Sequence, residues 1–139
     1  NMERTNIRSV TPEQLAEPVA FFSVDVSFIS LRHIFPVAAA ITVPDAEGVC
    51  LVKPQFEAGR EKVGKKGVVR EADTHREVLR AASGYAVQNG FSAVDVDFSP
   101  IKGPEGNIEF LMYVRKAESP LGLTDGAVED IVAKAHEAL

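Results

Sequence analysis

Ala20-Phe21-Phe22-Ser23-Val24-Asp25 is a short apolar run that stops on an acid, and Gly48-Val49-Cys50-Leu51-Val52 is a second that stops on Lys53-Pro54. Runs that are apolar at successive rather than alternate positions suit strands buried on both faces, as in a parallel sheet. Proline ends the second run because it cannot donate to a ladder and pushes its predecessor out of the helical region. Between the two, Leu31, Ile34, Phe35, Ala38 and Ala39 recur at helical spacing after Ser30, which predicts a helix that Pro36 kinks or restricts.

Downstream, Thr74-His75-Arg76-Glu77 fits a capping box that opens a helix with Val78, Leu79, Ala82 and Tyr85 on one face and stops at Asn89-Gly90. Ala93 to Phe98 alternates Val94, Val96 and Phe98 with Asp95 and Asp97, a strand with one dry and one wet face, expected near a sheet edge. After the turn-rich stretch from Ser99 to Gly106, Asn107 to Val114 reads as the last buried strand, with Glu109 at its beginning. Thr124-Asp125 caps a final helix whose Val128, Ile131, Val132, Ala135 and Leu139 form one apolar stripe. Near the start, Thr11-Pro12-Glu13 marks a short helical turn reaching Leu15. The order of elements predicts a partly parallel sheet covered by helices and closed by an antiparallel pair, in which the carboxyl ends of strands carry the chemistry.

With 139 residues, 45% of them hydrophobic, the chain can bury one core and is short for two domains. Cys50 has no second cysteine to pair with and reads as a buried small hydrophobe. No apolar stretch approaches the roughly 20 residues that span a bilayer, and Asn1-Met2-Glu3-Arg4 lacks a signal-peptide pattern, so the expectation is a cytoplasmic protein. The net charge of −5 argues against indiscriminate coating of nucleic acid, so any RNA contact has to come from a local patch. The long connection from Gln55 to Arg70 supplies one. Arg60, Lys62, Lys65, Lys66 and Arg70 place five cations in eleven residues, opposed only by Glu61, a density that suits phosphates. The competing reading of such a run is a solvated face. His33, His75 and His136 lie scattered without ligand spacing, and no metal is expected.

Asp25 and Lys53 both fall where a parallel strand ends, so this topology sets an acid and an amine side by side in one crevice. An ordinary salt bridge at the rim of the sheet explains them equally well on periodicity alone.

Longer stretches bear on that choice. Asp25-Val26-Ser27-Phe28-Ile29-Ser30-Leu31, Lys53-Pro54-Gln55-Phe56-Glu57, Gly64-Lys65-Lys66-Gly67-Val68-Val69-Arg70 and Ser99 to Glu109 together resemble, in order and spacing, the TlyA family of ribosomal RNA 2′-O-methyltransferases within the FtsJ-like group. The resemblance runs from about Glu3 to Arg115. It implies the carboxyl-terminal half of a Rossmann-like class I methyltransferase sheet, partly parallel with an antiparallel last strand and helices on both faces. Of the group's Lys-Asp-Lys-Glu tetrad it maps the acid onto Asp25, the second lysine onto Lys53 and the glutamate onto Glu109. The first lysine and the glycine motif lie upstream in the family and have no counterpart here, which implies a fragment inactive alone. The cofactor implied is S-adenosylmethionine, with Thr5, Asn6 and Asp25 against it. None of the ten glycines makes the G-x-G that such a pocket normally uses.

The implied chemistry is attack of a ribose 2′-hydroxyl on an electrophilic methyl group, which needs a base because the hydroxyl is a poor nucleophile. Lys53 is the candidate base, with Asp25 and Glu109 orienting the amine and the ribose. The alternative is a non-catalytic module that binds RNA or pairs with a second copy through the exposed edge of its first strand. A third reading, from the haemolysin name attached to this family, requires membrane insertion, for which no amphipathic or spanning segment is long enough.

Overall fold

The structure, a computed structural model, describes residues 19–64 and 67–139. The expected helical turn at Thr11 to Leu15 lies outside them. The described chain runs β1 (Val19–Val24), α1 (Leu31–Ile41), β2 (Thr42–Val52), a single turn α2 (Pro54–Glu57), α3 (Ala72–Gln88), β3 (Phe91–Phe98), β4 (Phe110–Lys116) and α4 (Asp125–Ala138). The strands form one sheet in the order β1-β2-β4-β3, with β1 parallel to β2 and β4 antiparallel to both its neighbours. Three strands therefore point one way, and β4 is inserted against them.

Register assigns the faces. Val24 lies beside Cys50, which faces Met112, which faces Val96, and all but Val24 are buried. Against this face pack Leu31, Ile34 and Phe35 of α1, Val78, Leu79 and Ala82 of α3, and Val128, Ile131 and Val132 of α4. Fully burying a Phe35, Phe91 or Phe110 side chain is worth roughly 1.5–3 kcal/mol each, which makes this layer the main source of stability. Cys50 is among these residues, and burial pushes its thiol up to about 12. The opposite face carries Ser23, Val49, Leu51, Leu111 and Tyr113, so the expectation of helices on both faces is met on one face among the described residues.

Several boundaries differ from the sequence reading. α1 passes through Pro36 unbroken, because Pro36 sits on the exposed side, where water can reach the Arg32 carbonyl that it cannot serve. β2 begins at Thr42, six residues before Gly48, and its first part pairs only Val19 with Thr42 before the register shifts to Phe21 with Glu47. Pro44 and Asp45 hid this bulged extension. α3 starts at Ala72 with Glu71 as its cap, and the expected capping box is not used. Thr74 is buried inside the first turn, and Glu77 pairs with Lys62 instead. The helix ends as read, with Gly90 in the left-handed region at φ 85°. β3 does lie at an edge, but a register shift between Ala93 and Asp95 turns Val94 outward, 58% exposed, and buries Phe91, Ala93 and Val96. β4 starts at Phe110, three residues late, and the Asn107 side chain before it is spent on the loop that precedes α3, at Gly67 and Val69. Thr124 caps α4 by accepting from Ala127 N, and the apolar stripe is buried except for Leu139.

Candidate active site

Three strand termini meet at one rim. Asp25 follows the last residue of β1, Lys53 follows the last of β2, and Glu109 precedes the first of β4. Val24 beside Cys50 brings the ends of β1 and β2 together, and Val52 opposite Phe110 brings the start of β4 to the same place.

Lys53 Nζ lies 2.5 Å from Asp25 Oδ1 and donates to Ser27 Oγ at 3.3 Å. The lysine side chain is only 11% exposed, whereas Asp25 is 70% exposed. The lysine side chain is thus mostly covered while its carboxylate partner reaches solvent. An ion pair with so exposed a member contributes about 0–1 kcal/mol, so stability alone is a weak reason to hold a lysine this way. Glu109 is buried, accepts from Gln55 Nε2 at 2.9 Å, and is overlain by Gly103, where any Cβ would strike the carboxylate. No ion pair joins Glu109 to Lys53; the two acids are held by different partners.

Phe28 is a feature that the pattern of apolar residues did not single out. It adopts φ 65°, is 88% exposed, and its ring lies 4.7 Å from that of Phe56. A non-glycine residue in this region costs about 1–3 kcal/mol and persists only where its surroundings fix it. Ser30 Oγ donates to Glu57 Oε1 at 2.6 Å and Leu31 N donates to Glu57 Oε2 at 2.8 Å, so Glu57 anchors the end of the same loop. Burial raises the Glu57 carboxyl above its ordinary value, partly offset by those two hydrogen bonds.

The basic loop is placed in pieces. Arg60 and Lys62 lie on a 3₁₀ turn, where Lys62 is paired with Glu77; Arg70 and Arg60 are exposed and carry no carboxylate partner among the described residues. Lys65 and Lys66 lie outside the described residues. The loop's end is pinned. Asn107 Oδ1 accepts from Val69 N at 2.9 Å, Asn107 Nδ2 donates to Gly67 O at 3.0 Å, and His75 Nε2 donates to Val69 O at 3.1 Å. His75 and His136, 61 positions apart, meet at 2.7 Å between Nδ1 and Nε2, a contact that no local spacing announced. A cleft of about 710 Å³ runs between this loop and α3, lined by Lys62, Arg70, Arg76, Glu77 and Arg80, and it does not include Asp25, Lys53 or Glu109. Of its charges, Lys62 pairs with Glu77 and Arg76 with Asp73, while Arg80 turns to Asp125 and Glu129 outside the cleft, and none of the acids and amines at the strand ends faces it.

Thr5 and Asn6 also lie outside the described residues, and no glycine-rich turn follows a described strand. Asp25 is the one described member of the expected cofactor set. Among the described residues the expected donor pocket is thus represented by one wall.

The chain belongs to the FtsJ-like methyltransferase family, whose model matches residues 1–116. It is 42% identical over 99% of its length to YqxC of Bacillus subtilis, provisionally named an rRNA methyltransferase, of which it covers 50%. It is 37% identical over 96% of its length to the Mycobacterium tuberculosis 16S/23S rRNA (cytidine-2′-O)-methyltransferase TlyA, again covering 50%. A solved Streptococcus thermophilus protein, provisionally described as a hemolysin, superposes with a TM-score of 0.94 at 46% identity, over 99% of this chain and 50% of that one. The chain thus spans about half the length of the curated relatives it matches.

Proposed function

We propose that this chain supplies the acceptor side of an RNA 2′-O-methyltransferase, acting in the cytoplasm on ribosomal RNA with S-adenosylmethionine as the methyl donor. The mostly covered Lys53 side chain paired to Asp25, with the buried Glu109 at the same rim, carries this reading. Membership of a methyltransferase family and relatives named for 2′-O-methylation of rRNA support it. The sulfonium donor would present a methyl group bearing partial positive charge; the groups of this chain handle the acceptor. An ammonium has no lone pair, so it is the neutral form of Lys53 that acts, held in place by its contact with Asp25. The free amine then takes the proton of the ribose 2′-hydroxyl as that oxygen attacks. Glu109, buried and acceptor-only when ionised, orients the ribose by accepting from a neighbouring hydroxyl. Arg60 and Arg70, free of carboxylates, are the described cations of the basic loop available to phosphates.

Lys53→Ala, made in the protein completed to the length of its relatives, is expected to lower methyl transfer at least 100-fold at saturating RNA; a rate within threefold of wild type refutes the assignment. Calorimetric titration of S-adenosylmethionine into the chain as it stands tests whether the single wall suffices, and the expected result is no saturable binding. A second reading draws on β1, which is an edge strand among the described residues and carries Phe21 60% exposed: a non-catalytic module that pairs with a second copy along that edge. A monodisperse monomer by light scattering counts against that reading.

A further inference from the structure

Among the described residues, the side-chain hydrogen bonds, the ion pair and the ring contact that tie the Asp25 loop and the Glu109 carboxylate converge on five consecutive residues, Lys53-Pro54-Gln55-Phe56-Glu57. Between the last ladder pair of β1, Val24 with Cys50, and the first turn of α1, the chain runs through residues 25–30 without ladder support. Its cross-chain tethers are Asp25 and Ser27 to Lys53, Phe28 to Phe56, and Ser30 with Leu31 to Glu57. On the other side, Gln55 reaches Glu109 across 54 positions. Pro54 makes this possible by opening α2 at its first turn, where a missing N–H costs nothing and φ is already helical. One helical turn then sends Gln55 towards β4 and Glu57 towards α1.

Two observations separate this from ordinary packing. Gln55 Oε1 is buried with no donor among the described residues, an omission worth about 1–3 kcal/mol. The residue is therefore poorly served as a structural amide, and the contact that its geometry does satisfy is the one to Glu109. Turning the amide over would set oxygen against carboxylate oxygen. Glu57, for its part, is a half-buried carboxylate spending both oxygens on the loop that bears Asp25, at a desolvation cost that an apolar residue would avoid.

We propose that Gln55 and Glu57 are positioning residues for methyl transfer, Gln55 acting through Glu109 and Glu57 acting through Ser30 and Leu31 on the Asp25 loop. Neither touches substrate. The inference rests on the proposed role of the Asp25, Lys53 and Glu109 site, and deepens it: α2 is the jig that sets both the Asp25 loop and the Glu109 carboxylate.

The test uses the protein completed to the length of its relatives and single-turnover methyl transfer to ribosomal RNA, with the RNA dissociation constant measured in parallel. Glu57→Ala is expected to lower the transfer rate 10- to 100-fold with RNA affinity within threefold, since a misplacement near 1 Å costs about 100-fold. Glu57→Gln is expected to recover the rate to within fivefold, because its carbonyl oxygen accepts from Leu31 N and its amide donates to Ser30 Oγ. Gln55→Leu, which fills the same volume without the amide, is expected to lower the rate about 10-fold. Amide hydrogen exchange on the chain itself reads the tether without activity: Leu31 N–H loses protection in Glu57→Ala while the β2 and β4 amides keep theirs. Rates unchanged in Glu57→Ala and Gln55→Leu overturn the proposal, as does a loss in Glu57→Ala that Glu57→Gln fails to rescue or that tracks global unfolding. If Lys53→Ala is itself fully active, the underlying reading fails; if Lys53→Ala is inactive and these variants are normal, only the positioning role fails.

Discussion

Acidification should destabilise this fold through one imidazole. His75 is fully buried, and desolvation, reinforced by the neighbouring His136, lowers it from 6.5 to about 4, against the opposing hydrogen bond to Val69 O. The folded state thus resists a proton that the unfolded chain accepts. Between pH 6.5 and 4 the unfolded state binds more protons, so stability is fully present above 6.5 and is lost as pH falls towards 4. A gap of about 2.5 units at 1.36 kcal/mol each corresponds to roughly 3 kcal/mol, a large share of the 5–15 kcal/mol typical of a domain. His136, which is exposed and lowered chiefly by desolvation and then by Arg76, shifts in the same direction. The assay is urea unfolding followed by circular dichroism from pH 7.5 to 4.5, on wild type and on His75→Gln. Glutamine can donate to Val69 O and accept from His136 but cannot titrate, and the carboxylates of the two proteins are the same. The wild-type curve should fall more steeply with acid by about 2–3 kcal/mol. Parallel pH profiles would refute the argument.

Asn107→Ala removes the partners of Val69 N and Gly67 O and leaves a buried N–H unsatisfied; a loss of about 2–3 kcal/mol by denaturant titration is expected, with the basic loop the first segment to gain hydrogen exchange. Gly48→Ala drives a methyl into the Phe22 ring, which packs edge-on to Phe91 at 5.6 Å, and should cost about 1–3 kcal/mol in thermal unfolding. If the chain binds single-stranded RNA, Arg70→Gln should reduce the salt slope of log K by about 0.7, whereas Lys62→Gln, already neutralised by Glu77, should leave it unchanged; fluorescence anisotropy across a salt series checks both.

The element order, the sheet's mixed direction and the Asp25–Lys53 juxtaposition were legible in the sequence because each rests on local pattern: apolar runs, their polar ends and the helical stripe of α4. The motifs surrounding them pointed to the family, and the family match agrees. What escaped was tertiary. The capping box at Thr74 was a sound local signal overruled by packing, since the threonine is buried and Glu77 is drawn to Lys62. The bulge that exposes Val94 depends on β4, not on β3's own alternation. The partners of Gln55, Glu57 and His75 lie 54, 26 to 27 and 61 positions away, distances over which composition and spacing carry no signal.

The sheet order has a consequence for a chain emerging from the ribosome. β4 is made after β1, β2 and β3, yet it sits between β2 and β3, and within the described sheet β3 is attached only through it. Until residue 116 has left the exit tunnel, β2 and β3 each present an unpaired edge, and Glu109 has no neighbouring strand to place it beside Lys53. The rim where Asp25, Lys53 and Glu109 meet therefore comes into being in one late event, by insertion of a reversed strand into a waiting gap, and a nascent or truncated chain that lacks β4 has the parts of that rim without the arrangement.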